Sequence, residues 1–231
     1  MARSSSPAPS ERSRVRRAPA RADYDRETID AVLDEALVAH LGFAVDGQPY
    51  VIPTLHARVG DEVYVHGSAA SRMVTMLGAG LPVCLTVTLV DGLVLARSAF
   101  HHSMNYRSVV VLGRARFLEG AEERAAALEA FTERLIPGRW AEVRPPSRQE
   151  LKGTRVLALS LDEASAKVRT GGPVDDAEDY ESDAWAGVVP LAPVPGPPEP
   201  DPLLPEAIPV SPSVAAWVEQ ARGPTAAAVG S

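Results

Sequence analysis

The sequence predicts a mainly β fold: an antiparallel β-barrel with peripheral helices. Three observations predict it. Short runs rich in Val, Leu and Thr recur through residues 43–118 and again at 156–169. Asp-Gly or Gly-Asp pairs at 46–47, 60–61 and 91–92 punctuate those runs as hairpin turns do. The chain shows no strand–helix–strand alternation, no GxGxxG and no P-loop, which argues against a doubly wound nucleotide fold. The count is six or seven largely antiparallel strands, two longer helices and one short one.

Residues 1–22 read as a disordered basic tail, Arg, Ser, Pro and Ala in composition. From 25 to 40 the apolar residues Ile29, Val32, Leu33, Ala36 and Leu37 recur at three and four, predicting an amphipathic helix that Gly42 stops. Residues 43–45 and 50–57 form a hairpin about Asp46-Gly47. Residues 63–66 follow the turn at Gly60-Asp61. Ser68 or Ser71 is placed to cap a short helix running to Leu77. Residues 83–90 and 93–99 then pair about Asp91-Gly92, and 103–118 supplies a further long strand. Residues 121–136 predict a second helix, with Leu128, Phe131 and Leu135 on one face and Pro137-Gly138 ending it. Residues 139–154 read as loop with one helical turn, and 156–161 with 166–169 as a last strand pair or one bent strand. Ten of the 21 prolines fall in 190–212, so that segment is neither core strand nor core helix. The boundaries drawn are 1–22 for the tail, 23–191 for one domain and 192–231 for a Pro-rich extension. Residues 213–222 add a short terminal helix.

Net charge is −7, yet the first 21 residues hold six Arg against one Glu, so the acid lies in the body. An acidic body argues against a nucleic-acid-binding domain. The tail lacks the apolar stretch of a signal peptide, and no run approaches about 18 apolar residues. The expectation is a soluble cytoplasmic protein with no nucleic-acid and no membrane partner. The single Cys84 has no partner for an internal disulfide and reads as a buried, inert thiol.

Chemistry has few places to sit. Adjacent His101 and His102 point apart on a strand and make a poor metal site, and no Cys/His cluster has zinc spacing, so no metal is expected. No GxSxG occurs. Polar residues do gather at strand ends: His56, His66, Gly67 and Ser68, then Ser71 and Arg72 opening a helix. A Gly/Ser turn feeding a helix start with an Arg suits a phosphate, because amide donors and the helix dipole favour an anion. An ordinary capped helix with a solvated Arg is the competing reading.

Residues 51–73 (VIPTLHARVGDEVYVHGSAASRM), 105–116 (NYRSVVVLGRAR) and 167–191 together resemble the pyridoxamine 5'-phosphate oxidase-like superfamily of flavin-binding split barrels. The resemblance is greatest to the flavin-nucleotide-binding branch that includes nitroimidazole-resistance proteins. It spans about residues 24–191. It implies a split β-barrel and a homodimer with FMN at the subunit interface. The backbone of Ile52, Pro53, Thr54 and Leu55 would line the flavin ring. His56 stands where the oxidase has a Lys near the phosphate, His66 and Gly67 match positions flanking the flavin, and Arg72 matches a phosphate-binding Arg. Met73 replaces the Lys expected next, so one phosphate charge is missing. Ser108 replaces a Gln that touches the ring, residues Asn105, Tyr106, Arg107, Ser108 and Val109 form the contact segment, and Trp185 covers the flavin. No match to the vitamin's own binding residues is found, so that oxidase activity is not expected.

The resemblance leads to an FMN-dependent oxidoreductase acting on a small organic molecule. FMN would carry the electrons while the protein holds the phosphate and stacks the ring. No acid–base residue is forced by the sequence; His66 and Tyr106 are the candidates, against purely structural roles. Two alternatives stay open: a non-catalytic flavin, deazaflavin or tetrapyrrole binder, and a dimeric module that has lost its cofactor.

Overall fold

A computed structural model describes residues 8–222, except the side chain of Arg72. Among the described residues there are ten strands and five α-helices, three strands more than the upper expectation. In chain order they are β1 (Ala22–Asp23), α1 (Arg26–Glu35), β2 (Val38–Val45), β3 (Gln48–Val59), β4 (Glu62–Ser68), α2 (Arg72–Gly78) and β5 (Pro82–Leu95). Then come β6 (Ser103–Arg114), β7 (Arg116–Phe117), α3 (Ala121–Leu135), α4 (Arg148–Gly153), β8 (Thr154–Ser160), β9 (Ala164–Arg169), β10 (Gly187–Pro190) and α5 (Pro212–Arg222). The added strands β1, β7 and β10 are two to four residues long, too short for an alternation to announce them.

The barrel is split along β3. Its first part, to Leu55, pairs with β2; its last part, from His56, pairs with β4. One sheet therefore runs β1-β9-β6-β5-β2-β3, and the other continues β3-β4-β8-β7. All pairings are antiparallel. The β2–β3 hairpin turns through Asp46 (φ 51) and Gly47 (φ 80). Two consecutive positive φ values match the right-handed twist of the strands.

Alternation along the strands builds two apolar layers. Val63, Val65, Leu157 and Leu159 point into the barrel with Leu85, Val87, Val109 and Val111, and α1 closes that interior with Ile29, Val32 and Leu33. Ala57, Val156 and Ala158 point the other way, under Ala127 and Phe131 of α3, with Tyr64 and Leu128 packed against them. Each fully enclosed Leu or Val contributes about 1.5–3 kcal/mol before chain entropy is charged.

Four expectations change. The first helix ends at Glu35, not His40: pairing of residues 38–45 with 48–55 outweighs the helical spacing, and Gly42 sits inside β2 opposite Val51 and Cys84. Asp91-Gly92 is not a hairpin turn. β5 runs through it with a bulge, Val90 facing Tyr106 and Gly92 facing Asn105. A Cβ on Gly92 would lie 3.0 Å from the Val189 carbonyl of β10, so glycine there admits the neighbouring strand. β8 and β9 are not a pair: β8 joins β4 and β7, while β9 joins β6 and β1. Finally, the described part of the Arg-rich tail, residues 8–22, contacts the barrel, and residues 1–7 lie outside the described residues. Arg12 pairs with Glu163, the Val15 N–H donates to Tyr24 Oη at 2.8 Å, Ser13 is buried, and β1 pairs with β9.

Candidate functional site

The site begins with the outward-facing residues of β4. Because Val63 and Val65 face the barrel interior, Tyr64 and His66 face α3. Leu55 of β3 lies on that same outer side, two residues before Ala57. From α3, Leu128, Phe131, Thr132 and Leu135 come down at helical spacing, and the segment between α3 and α4 adds Trp140, Val143, Arg144 and Pro146. Together with Glu150 they enclose a cleft of about 500 Å³ with His66 in its wall.

His66 is the chemically distinctive member. Its Nδ1 is sealed from solvent with no hydrogen-bond partner, and among the described residues no hydrogen bond engages its ring. Its ring meets Phe131 edge-on at 4.5 Å. Burial pushes its pKa down, so it is neutral at pH 7. A neutral imidazole without protein partners, among aliphatic and aromatic walls, is suited to act as a metal ligand. At the rim the Arg144 guanidinium forks onto Glu150 at 2.7 and 2.8 Å. Glu150 also closes the capping box that starts α4 at Ser147, so Arg144 is presented from an ordered turn.

A second surface adjoins. Along residues 48–55, β3 pairs with β2 on one edge, and no pairing covers its other edge among the described residues. Backbone donors and acceptors there are available to a planar heterocycle. Tyr50, Val51, Pro53 and Leu55 are exposed on this stretch, and Ile52 and Thr54 half-buried. Ile52 and Met73 share a small apolar pocket with Phe43, Val45, Tyr50 and Met76, so the start of α2 lies close to that strand. Gly67 permits this approach, since a Cβ there would come within 2.7 Å of Val74. Ser71 occupies the N-cap of α2 without a capping hydrogen bond, and Ser68 Oγ accepts from the Ala70 N–H at 3.2 Å. The Arg72 side chain lies outside the described residues.

The structure thus brings together residues 52–55, His66, Gly67, Ser68 and Ser71. Others stand apart. His56 is 2% exposed; its Nε2 lies 2.9 Å from the Leu33 carbonyl and burial lowers its pKa, so the ring anchors α1 instead of facing a ligand. Residues 105–109 lie on β6, whose edges are taken by β5 and β9. Asn105 accepts from Arg169, Ser108 Oγ donates to the Lys167 carbonyl at 3.3 Å, and Val109 is in the barrel core. Arg107 is held between Glu35 and Asp91, which raises its pKa and leaves its guanidinium engaged. Tyr106 is half-buried beside them, opposite Val90 and Arg169. Trp185 is 66% exposed beside β10, its ring against Gly187. His101, half-buried, sits with Asp176 and Asp179 in a loose cluster, and His102 bonds the Ser98 carbonyl. The wall from α3 to Arg144 went unflagged in the sequence, because Leu128, Phe131 and Leu135 have the spacing of any core-facing helix. Trp140, an aromatic just after a Pro-Gly break, was the one available signal.

This architecture is that of a split β-barrel protein. The chain belongs to the pyridoxamine 5'-phosphate oxidase family, whose model matches residues 25–168. Its structure is similar to the flavocytochrome Anf3 from Azotobacter vinelandii, with 45% identity and a TM-score of 0.86 over 90% of this chain and 97% of that one. It is also similar to the FAD and heme binding protein from Mycobacterium smegmatis, at 38% identity and a TM-score of 0.82 over 85% and 96%. A 5-nitroimidazole antibiotic resistance protein from Bacteroides thetaiotaomicron shares the fold at 23% identity, with a TM-score of 0.55 over 64% and 86%. No curated protein sequence matches the chain.

Proposed function

We propose that this protein is a redox protein that binds a flavin and a haem. The observation that carries the reading is His66, a neutral imidazole with no hydrogen-bond partner among the described residues, in the wall of a largely apolar cleft. The two similar proteins described above as flavocytochrome and as FAD and heme binding support it. The residues present fit both groups. His66 would ligate the iron, Leu128, Phe131, Leu135 and Trp140 would exclude water from the macrocycle, and Arg144 would exchange Glu150 for a propionate. With Cys84 as the single cysteine, no C-x-x-C-H attachment is available, and the haem is held without a covalent bond. The open edge of β3 at residues 52–55 would bond the flavin ring, with Ser68, Ser71 and Arg72 near its phosphate. The flavin supplies two-electron chemistry and the haem one-electron chemistry.

The resemblance in residues 51–73 favours FMN, and the Mycobacterium protein favours FAD. The FMN monoester and the FAD pyrophosphate each carry a charge near about −2, so Met73 does not separate them. FAD is the reading adopted, on the likeness to the Mycobacterium protein. The exposed Tyr50, Val51 and Leu55 on β3 support a homodimer that covers this strand. The oxidoreductase substrate is a small molecule, and the cytoplasm is the proposed compartment; no described helix is long and apolar enough to cross a membrane.

The test is a hemin titration of wild type and His66→Ala. Wild type should develop a Soret band saturating at one haem per chain. His66→Ala should lose most of that affinity and keep its flavin. A His66→Ala spectrum identical to wild type would remove His66 as the ligand.

A further inference from the structure

The segment between α3 and α4 forms one whole wall of the His66 cleft through Trp140, Val143 and Arg144. Its attachment is unusual. On the α3 side, the Glu133 carboxylate accepts from the Gly138 and Trp140 N–H groups at 2.7 and 2.8 Å. The other hydrogen bonds of residues 138–147 are local, running to Pro145, Glu150 or within the segment's own turns. The exceptions come from the far end of the chain. Glu142 accepts from the Ser213 N–H at 2.9 Å and from the Ser213 hydroxyl, and Arg139 donates to Ser211 Oγ at 2.9 Å. Gly138 takes a positive φ of 85 that favours glycine, and Ser213 lies in ordinary contact range of it. These contacts join residues 71 or 72 apart in sequence.

The partner element, α5, has no buried residue. Its apolar Val214, Trp217 and Val218 are only half-buried, and polar contacts at its start, with the bond from Arg222 Nε to the Pro195 carbonyl at its end, supply the specific attachments. The extended chain between is anchored at its other end by β10, paired to β5. Glu142, drawn down to about 2 by Ser213, stays ionised throughout the physiological range. An element held by a few exposed polar bonds can be released without unfolding the barrel.

We infer that the carboxy-terminal helix is a latch: by gripping Glu142 and Arg139 it holds the Trp140–Arg144 wall against the His66 cleft and slows exchange of what the cleft contains. The identity of that content rests on the haem reading; the grip itself does not.

The test uses full-length protein: wild type, Glu142→Ala, and a Ser211→Ala/Ser213→Ala double variant. Backbone hydrogen exchange is followed over residues 136–147, and haem loss to an excess of apomyoglobin is timed. Bonds to a charged acceptor predict roughly tenfold faster exchange in Glu142→Ala, with a smaller rise in the double variant, which keeps the Ser213 N–H. Exchange in β4 and β8 should be unchanged, which shows that the barrel is folded. Haem loss should speed up in the same order. Unchanged exchange over 136–147 overturns the latch, and so does faster exchange with an unaltered rate of haem loss. If no variant takes up haem, the cofactor reading fails while exchange still decides the latch.

Discussion

Two histidines, His56 buried and His66 half-buried, behave differently because their partners differ. His56 gives Nε2 to the Leu33 carbonyl and fills the space beneath α1. His66 has no hydrogen-bond partner among the described residues. Replacing His56 by Ala removes packing and a hydrogen bond at a closed site, and should cost about 2–4 kcal/mol in a urea melt without altering the haem spectrum. Burial holds the pKa of both histidines below the ordinary value of 6.5. As the pH falls through about 6.5 the unfolded chain takes up protons that the folded chain refuses. Stability is therefore complete above that range, and is lost on acidification until the folded pKa values are reached. Urea midpoints should drop between pH 7.5 and 5.5, and the drop should shrink in His66→Phe. A midpoint as pH-dependent in His66→Phe as in wild type would show that the ring carries none of the linkage. The roles of these two residues were not legible in the sequence. In the sequence both read as strand-end residues, and only the side of the strand separates an anchor from an imidazole without a hydrogen bond among the described residues.

At the scale of elements, β3 does the most. It belongs to both sheets, leaves one edge open at 48–55, and sends Leu55 to the cleft. Next to it, α2 depends on a close contact: a Cβ on Gly78 would lie 1.9 Å from the Phe117 ring. Gly78→Ala should destabilise by about 1–3 kcal/mol, and Phe117→Leu in the same chain should recover part of the loss; additive losses in thermal melts would contradict the contact. The hairpin about Asp46-Gly47 and the helix over 121–135 were legible, because turn chemistry and a long apolar stripe are local signals. The end of α1, the bulge at Asp91 and the separation of β8 from β9 were not. Each is decided by a strand distant in sequence: β3 draws out residues 38–40, β6 and β10 take up Asp91-Gly92, and β4 claims β8. The resemblance makes residues 105–109 a flavin-contact segment. That stretch lies in the middle of the larger sheet with both edges paired, and its Arg107 is tied to Glu35 and Asp91.

For the whole molecule, exposed Tyr50, Val51 and Leu55 beside an uncovered strand edge call for a covering surface, and a second copy is the proposed one. Sedimentation should give twice the chain mass, and Val51→Arg, at a position 67% exposed in the single chain, should shift it toward monomer. An unchanged mass in that variant would place the contact elsewhere. The split barrel could be recognised from residues 51–73, 105–116 and 167–191 together, whereas the His66 cleft proposed to hold a haem is assembled from β3, β4, α3 and the α3–α4 segment and has no motif of its own. That cleft carries the central claim, and the most direct test of it is the absorption spectrum of the purified protein, with the mass of whatever it releases on denaturation. The account predicts a Soret band over a flavin envelope, and release of haem together with FAD. A protein that purifies with flavin alone, and shows no Soret band after hemin is added, would contradict it.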